Sequence, residues 1–354
     1  MHTKPPIRTA RAAEQQRSRA GLFRARTLAL ATGWLALAAS VGCGPTSFLI
    51  TPVSPQRALT EFEVLRESVW ASDKVLLLDL DGLISNAPRR SLLGLPADNP
   101  VTLFKEKLDK AARDPRVRAV VLRVNSPGGS VTASDLMYTE LTRFKQRTQR
   151  PIVASFLDVA ASGGYYVACA ADRIYASPTT VTGSIGVIMI APDLSGTMAK
   201  IGLRANIIKS GPMKDAGSPL REMSPADRAV FQSMIDRMYA RFLSVVEQGR
   251  PQLGAERARQ LADGRVYLGP EAKENGLVDE VGTLYDAIDG ARRAAKLEHE
   301  PIVVVQYAVP LAHRPNIYAE SPAGEPQVNI VNVELPDWLN SPTPQFLYLW
   351  SPQF

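Results

Sequence analysis

Three loops of this 354-residue chain carry the residue types from which acyl-transfer chemistry is built. The first is Asn125-Ser126-Pro127-Gly128-Gly129-Ser130, between an apolar run and an amphipathic one. Pro127 fixes φ, and two glycines let the backbone turn sharply and expose N–H groups that can hold an oxyanion. Taken alone, it also reads as an ordinary tight turn. The second is Val159-Ala160-Ala161-Ser162-Gly163-Gly164-Tyr165-Tyr166, where small neighbours leave the Ser162 hydroxyl uncrowded. If a helix begins there, the Gly163 N–H points to the oxygen of an acyl group on Ser162. The plain alternative is a serine N-cap. The third is Lys209-Ser210-Gly211-Pro212-Met213-Lys214-Asp215, whose ordinary reading is a solvated surface lysine in a turn.

A serine nucleophile needs a base. The three histidines are His2, in a basic leader, and His299 and His313, at or beyond the edge of the folded body. A Ser-His-Asp triad therefore has no good histidine, and a Ser-Lys pair is the other solution. A lysine with its ordinary pKa of about 10.4 is protonated at neutral pH. Burial in an apolar site favours the neutral amine, which within reach of Ser162 takes its proton. The histidines show no metal-ligand spacing, so neither a metal nor a cofactor is expected.

The elements that must position these loops alternate. KVLLLDLDG, VRAVVLRVN and PIVASFLD read as buried strands, and DRIYAS, GVIMI and RANIIK as further strand-like runs. TLFKEKLDKAARD and SDLMYTELTRFKQ space their apolar residues helically. ADRAVFQSMIDRMYARFLSVVEQ is a long helix with Phe231, Met234, Met238, Phe242 and Val245 on one stripe. The expectation is an α/β layered fold with a largely parallel sheet, chemistry gathering in loops past the strand ends.

Four segments follow. Residues 1–43 are a basic leader with a 14-residue apolar run, Leu28 to Val41, that suits a signal or anchor segment. Cys43, in Gly42-Cys43-Gly44-Pro45, resembles a bacterial lipoprotein attachment site. An uncleaved anchor and ordinary secretion stay open. Residues 44–73 read as a linker and a short helix, EFEVLRESVW, and 74–297 as the folded body. Residues 298–354 are a proline-rich tail with an aromatic end. The net charge of +6 equals the excess in the first 26 residues, so the remainder is neutral and no nucleic-acid partner is implied. If Cys43 is lipidated, Cys169 has no disulfide partner, and its apolar neighbours read as a core thiol.

Taken in order, VLRVNSPGG, AASGGYYVACAADRIYASPTTVTGSIGV, KSGPMKDAGSP and GRVYLGPEAKENGLVDEVGTLYDAI resemble the SppA-type signal peptide peptidases. These are membrane-associated serine proteases with a Ser-Lys dyad, and the likeness is to their half-length, single-repeat kind. The resemblance implies a Clp protease/crotonase-like ββα superhelix core, with a largely parallel sheet and C-terminal helices. It implies Ser162 as nucleophile and Lys214 as general base. Gly129 and Gly163 would be the oxyanion donors, and Ser184 a serine that hydrogen-bonds the lysine amine. Lys209, Ser126 and Ser130 are rivals that do not fall at the matching positions.

It also implies peptide substrates such as released signal peptides, a membrane association, and a homo-oligomer whose serine and lysine come from adjacent chains. With the leader, it implies a place in a bacterial cell envelope, the peptidase domain outside the cytoplasm. Two other functions share the fold: a crotonase-type acyl-CoA enzyme, and a non-catalytic envelope scaffold. Beyond the match, Phe346, Leu347, Tyr348, Leu349, Trp350 and Phe354 crowd one apolar segment. Left exposed it would be an association site. Packing on the chain's own body, docking on a neighbouring copy and filling the substrate groove are the three expectations.

Overall fold

Alternate residues of an apolar strand face opposite sides of a sheet, and here both sides are buried. The computed structural model describes residues 59–86, 99–308 and 345–350. The leader, Cys43, His2 and His313 lie outside the described residues.

The strands, in chain order, are β1 (Thr60–Arg66), β2 (Asp73–Asp81), β3 (Val117–Ser126), β4 (Gly128–Ser130), β5 (Ile152–Ala161), β6 (Arg173–Ala176), β7 (Val181–Gly183), β8 (Ile188–Ile190), β9 (Val266–Leu268), β10 (Glu280–Val281), β11 (Ile302–Ala308) and β12 (Gln345–Leu349). The helices are α1 (Pro100–Arg113), α2 (Val131–Thr148), α3 (Gly163–Ala168), α4 (Ser195–Lys200), α5 (Pro225–Gly249), α6 (Gly254–Leu261), α7 (Gly269–Glu274) and α8 (Leu284–Ala294).

Among the described residues two sheets form. The larger runs β1-β11-β2-β3-β5-β6-β10, with β7 joined to β5 and β9 joined to β7. It is parallel except for the β1–β11 and β7–β9 pairs. The smaller, β4-β12-β8, is antiparallel. On one face of the large sheet Val75, Leu77, Ala119 and Val121 pack under Leu284, Ile288 and Ala291 of α8. On the other, Leu76, Leu78, Val120, Leu122 and Val124 meet Phe104, Leu141, Tyr166 and Phe242 from the remaining helices.

Two expectations on element type change, and one on the extent of the folded body. EFEVLRESVW is not a helix: Thr60–Arg66 is the edge strand β1, antiparallel to β11 with a bulge between Glu63 and Leu65. Its register partner lies more than 200 residues away, so local spacing cannot reveal it. The Lys74 ammonium, 2.7 Å from Glu61 and 2.8 Å from Asp114, ties β1 to the sheet. The folded body accordingly reaches beyond 74–297, because IVVVQYA inserts as the wholly buried β11 between β1 and β2. RANIIK forms no strand; it is irregular and exposed.

Candidate active site

Strand β5 splits the sheet. Its first half pairs with β6 and its last three residues pair with β7, so Ala161 and Gly183 end side by side. The next residue on each strand is a serine in the left-handed region, Ser162 at φ 51° and Ser184 at φ 49°. Such a conformation in a non-glycine residue costs of order 1–3 kcal/mol and persists only when its surroundings impose it. Here the Ser162 N–H donates to the Gly183 carbonyl at 2.8 Å, and the Ser184 N–H to the Arg265 carbonyl at 2.7 Å. The Ser162 carbonyl accepts from Tyr166 at 2.8 Å, which starts α3 at Gly163. Ser162 is 1% exposed, and its hydroxyl has no hydrogen-bond partner among the described residues. It is a strand-to-helix elbow: Ser162 stands at the N-cap position of α3, but its side chain makes no cap bond.

The two glycine loops meet at this elbow. A Cβ on Gly128 would lie 2.6 Å from the Gly163 nitrogen and 2.0 Å from the Tyr348 carbonyl oxygen. A Cβ on Gly163 would lie 3.2 Å from that same oxygen. At φ 99°, and with backbone on two sides, position 128 accepts only glycine. Ile84 bridges the outer side of this loop: its N–H donates to Gly128 and its carbonyl accepts from Ser130, both at 2.8 Å. That leaves the N–H and C=O of Gly129 facing the other way, toward β12.

The register there is antiparallel, Tyr348 opposite Gly129 and Leu349 opposite Gly128. The Trp350 N–H donates to the Pro127 carbonyl at 2.9 Å. Hydrogen-bonded pairs alternate along such a ladder, so Tyr348 and Gly129 form the next one. The Gly129 N–H thus donates to the Tyr348 carbonyl, beside the turn that bears Ser162.

The rival serines differ from Ser162. Ser126 is buried, donates to the Gly82 carbonyl at 2.6 Å and accepts from the Gly128 N–H at 3.1 Å, which shapes the loop. Ser130 is only half-buried at the head of α2, where its side chain makes no cap bond and its carbonyl accepts from the Ser134 hydroxyl at 3.0 Å. Lys209 is held by Asp215 at 2.6 Å and by the Pro212 carbonyl at 3.0 Å. Cys169 is buried, and that burial pushes its thiol up to about 12, so it is inert at neutral pH.

Lys214 lies elsewhere, in a turn of the long excursion between β8 and α5. Its side chain is exposed and outside hydrogen-bond reach of Ser162. Arg221 braces that excursion, 2.9 Å from Asp215 and 2.6 Å from Asp227. These hydrogen bonds hold both carboxyl groups below the usual range, Asp227 at about 2. Asp227 also closes the capping box of α5 with Ser224. Around Lys214 the chain exposes Leu194, Ile201, Leu203, Ile208 and Met213, and the first half of α5 adds Val230 and Met234.

One functional element escapes the three-loop reading. The Tyr348 ring stacks on Tyr166 at 5.1 Å and tilts against Phe242 at 4.7 Å. Tyr138 packs edge-on to Tyr166 at 5.4 Å. The cluster FLYLW was the available signal, and the packing is on the chain's own body: β12 pairs with β4 and β8, alongside the Ser162 elbow.

The sequence profile of peptidase family S49 matches residues 144–298. That interval holds Ser162, Ser184 and Lys214 but not Gly129. A candidate signal peptide peptidase, SppA, of Enterococcus faecium is 36% identical over 241 residues, covering 68% of this chain and 69% of that protein. A candidate protease of Synechocystis sp. is 35% identical over 229 residues, covering 65% of this chain and 77% of that protein. Protease 4 of Salmonella typhi is 39% identical over 188 residues, 53% of this chain but 30% of that longer protein.

Proposed function

Because the chain belongs to peptidase family S49 and is a serine peptidase of the signal peptide peptidase kind, we propose that Ser162 is its nucleophile and Lys214 of an adjacent copy its general base. One observation carries this reading: among the candidate serines, Ser162 alone holds a buried, unpaired hydroxyl on a strained elbow, against two glycine backbones. The chemistry is then the Ser-Lys form of acyl transfer. The neutral Lys214 amine takes the Ser162 proton as Oγ attacks the peptide carbonyl. Negative charge builds on the carbonyl oxygen, where the Gly129 and Gly163 N–H groups receive it. The intermediate collapses, the ammonium returns a proton to the departing amine, and an acyl ester remains on Ser162. Water activated by the same amine releases the acid and frees the serine.

The exposed position of Lys214 supports the two-chain reading. A lysine in water is charged and cannot act as a base, so it needs an apolar cover. The apolar side chains exposed around it would supply one when buried between copies. Ser184, beside Ser162 on the neighbouring strand, would receive and orient the incoming amine. In the Clp-protease-like α/β fold an extended peptide would take the place of β12 between β4 and β8. Apolar peptides such as released signal peptides are the proposed substrates. We read residues 1–43 as a membrane-directing leader, with Cys43 as the lipid-bearing residue. The peptidase domain would then lie outside the cytoplasm in a bacterial envelope.

A fluorophosphonate probe tests the core of this. It should label the wild-type chain at Ser162 and leave Ser162→Ala unlabelled. Labelling at another serine, or none, would overturn the assignment.

A further inference from the structure

The residue after the proposed general base is an acid. An unpaired carboxylate beside an amine favours the charged amine, the form that cannot act as a base. The pair Lys214-Asp215 therefore needs a group that takes up the Asp215 charge. Arg221 does so. Its Nε donates to one Asp215 oxygen at 2.9 Å and its Nη2 to the other at 3.0 Å, the two-pronged pairing that fits a guanidinium to a carboxylate. Lys209 adds a third bond at 2.6 Å. Only 8% of the Asp215 side chain stays exposed, whereas Lys214 is exposed.

The same guanidinium fixes where the lysine's turn sits. Its Nη1 donates to Asp227 at 2.6 Å, and Asp227 closes the capping box of α5 with Ser224. The far half of α5 buries Phe242, Val245 and Val246 in the core. The backbone bonds around Lys214 close on the excursion itself: its N–H donates to the Gly211 carbonyl, and the Ser218 N–H to the Asp215 carbonyl. Arg221 is thus the side chain that carries the position of α5 to that turn.

The charges balance without Lys214. Lys209 and Arg221 are positive, Asp215 and Asp227 negative, and hydrogen bonds hold both acids ionised at any working pH. Glu222 and Arg228, on either side of the capping box, are exposed and opposite in sign. Near the serine, Arg265, whose carbonyl holds Ser184, pairs with Asp263, and Asp158 of β5 is exposed.

We infer that Arg221 is a positioning residue for Lys214: it sets the lysine's turn against α5 and takes up the Asp215 charge, so that the amine meeting Ser162 is neutral. The inference rests on the Ser162–Lys214 reading and deepens it.

The test follows fluorophosphonate labelling of Ser162 in the assembled full-length chain, from about pH 5 to about pH 10 at low ionic strength. In the wild type the maximal labelling rate should climb with pH as the amine loses its proton. Arg221→Gln leaves the cluster one negative charge in excess. Its climb should move up by about one pH unit, and labelling at neutral pH should fall about tenfold. Asp215→Asn leaves one positive charge in excess, so its climb should move down. Arg221→Lys keeps the charge but not the two-pronged geometry, so its climb should stay in place and end on a lower plateau. The probe concentration giving half-maximal rate should not change in any of the three.

A brace with no electrical role would lower the plateau in all three variants and move none of the climbs. That result, or shifts of the same sign in Arg221→Gln and Asp215→Asn, would overturn the inference and leave the dyad standing. If Arg221→Gln does not assemble by light scattering, Asp215→Asn decides alone, and a climb at or above the wild-type position overturns the inference. Lys214→Ala labelled at the wild-type rate, with the wild-type pH dependence, would overturn the dyad and the inference together.

Discussion

Ser162 and Lys214 sit in two regions built on opposite terms. The serine stands where parallel strands end, its turn fixed by backbone bonds from Gly183 and Arg265, with Gly128 too crowded for any side chain. The lysine stands on an excursion braced by a few ion pairs, and a Cβ added at Gly211 beside it would meet nothing within 4 Å. One region buries its apolar groups and leaves the Ser162 hydroxyl buried without a partner among the described residues. The other exposes Ile201, Leu203 and Ile208 to solvent. The proposed dyad needs both partners positioned, and a second copy is the proposed missing part because one region is so finished and the other so unfinished.

The largest effects should come from the dyad itself. Ser162→Ala and Lys214→Ala should each lower peptide hydrolysis by at least about 10⁴-fold, and the double variant should be no worse than either single one, because the two groups act as a unit. Neither should lower the melting temperature of the fold. A Lys214→Ala variant retaining several per cent of activity would remove the lysine from the mechanism.

Glycine substitutions sharpen the contrast between the regions. Gly128→Ala would put a Cβ 2.0 Å from the Tyr348 carbonyl oxygen at a φ of 99°, so activity should fall about a hundredfold. Backbone strain alone should cost about 1–3 kcal/mol. Gly211→Ala should change stability by less than about 0.5 kcal/mol, measured by urea unfolding. Equal effects at the two positions would erase the distinction.

A chain ending at Pro344 loses β12 and uncovers Tyr166 and Phe242. Its melting temperature should fall by about 5 °C, from the lost burial of Leu347 and Tyr348. Small substrates should be cut faster, with the particle size by light scattering unchanged. Smaller particles would instead place the segment at a contact between copies.

The smallest effect concerns pH. Asp215 and Asp227 are held below their unfolded values by Arg221 and, for Asp215, Lys209, so their contribution to holding the excursion is fully present above about pH 4. It is lost progressively as pH falls from about 4 through the folded value of about 2 for Asp227, with Asp215 lower still. Limited proteolysis within 191–223 should therefore be the same at pH 7 and pH 4.5, whereas Arg221→Gln should be cut there at neutral pH. Cutting that already rises at pH 5 would show that other groups hold this region.

The same contrast explains what the sequence made legible. The Ser162 and Gly128–Gly129 loops follow short apolar strands whose partners are themselves recognisable, so motif and element agree. Thr60–Arg66 reads as a helix because its strand partner, β11, is far along the chain and was grouped with a proline-rich tail. RANIIK has a strand's composition but pairs with no strand among the described residues, and it stays irregular. FLYLW was recognisable as apolar surface needing a cover, but its place opposite Gly129 depends on a pairing more than 200 residues long.

Mixing two dead proteins tests the central claim most directly. Ser162→Ala subunits keep their lysine, and Lys214→Ala subunits keep their serine. If the site is shared around a closed ring, random one-to-one assemblies pair an intact serine with an intact neighbouring lysine in about a quarter of the sites. Hydrolysis should return to about that fraction of wild type, with fluorophosphonate labelling confined to the Lys214→Ala subunits. Mixed assemblies that form, as shown by co-purification of differently tagged subunits, yet stay inactive would contradict the account and put serine and lysine in one chain.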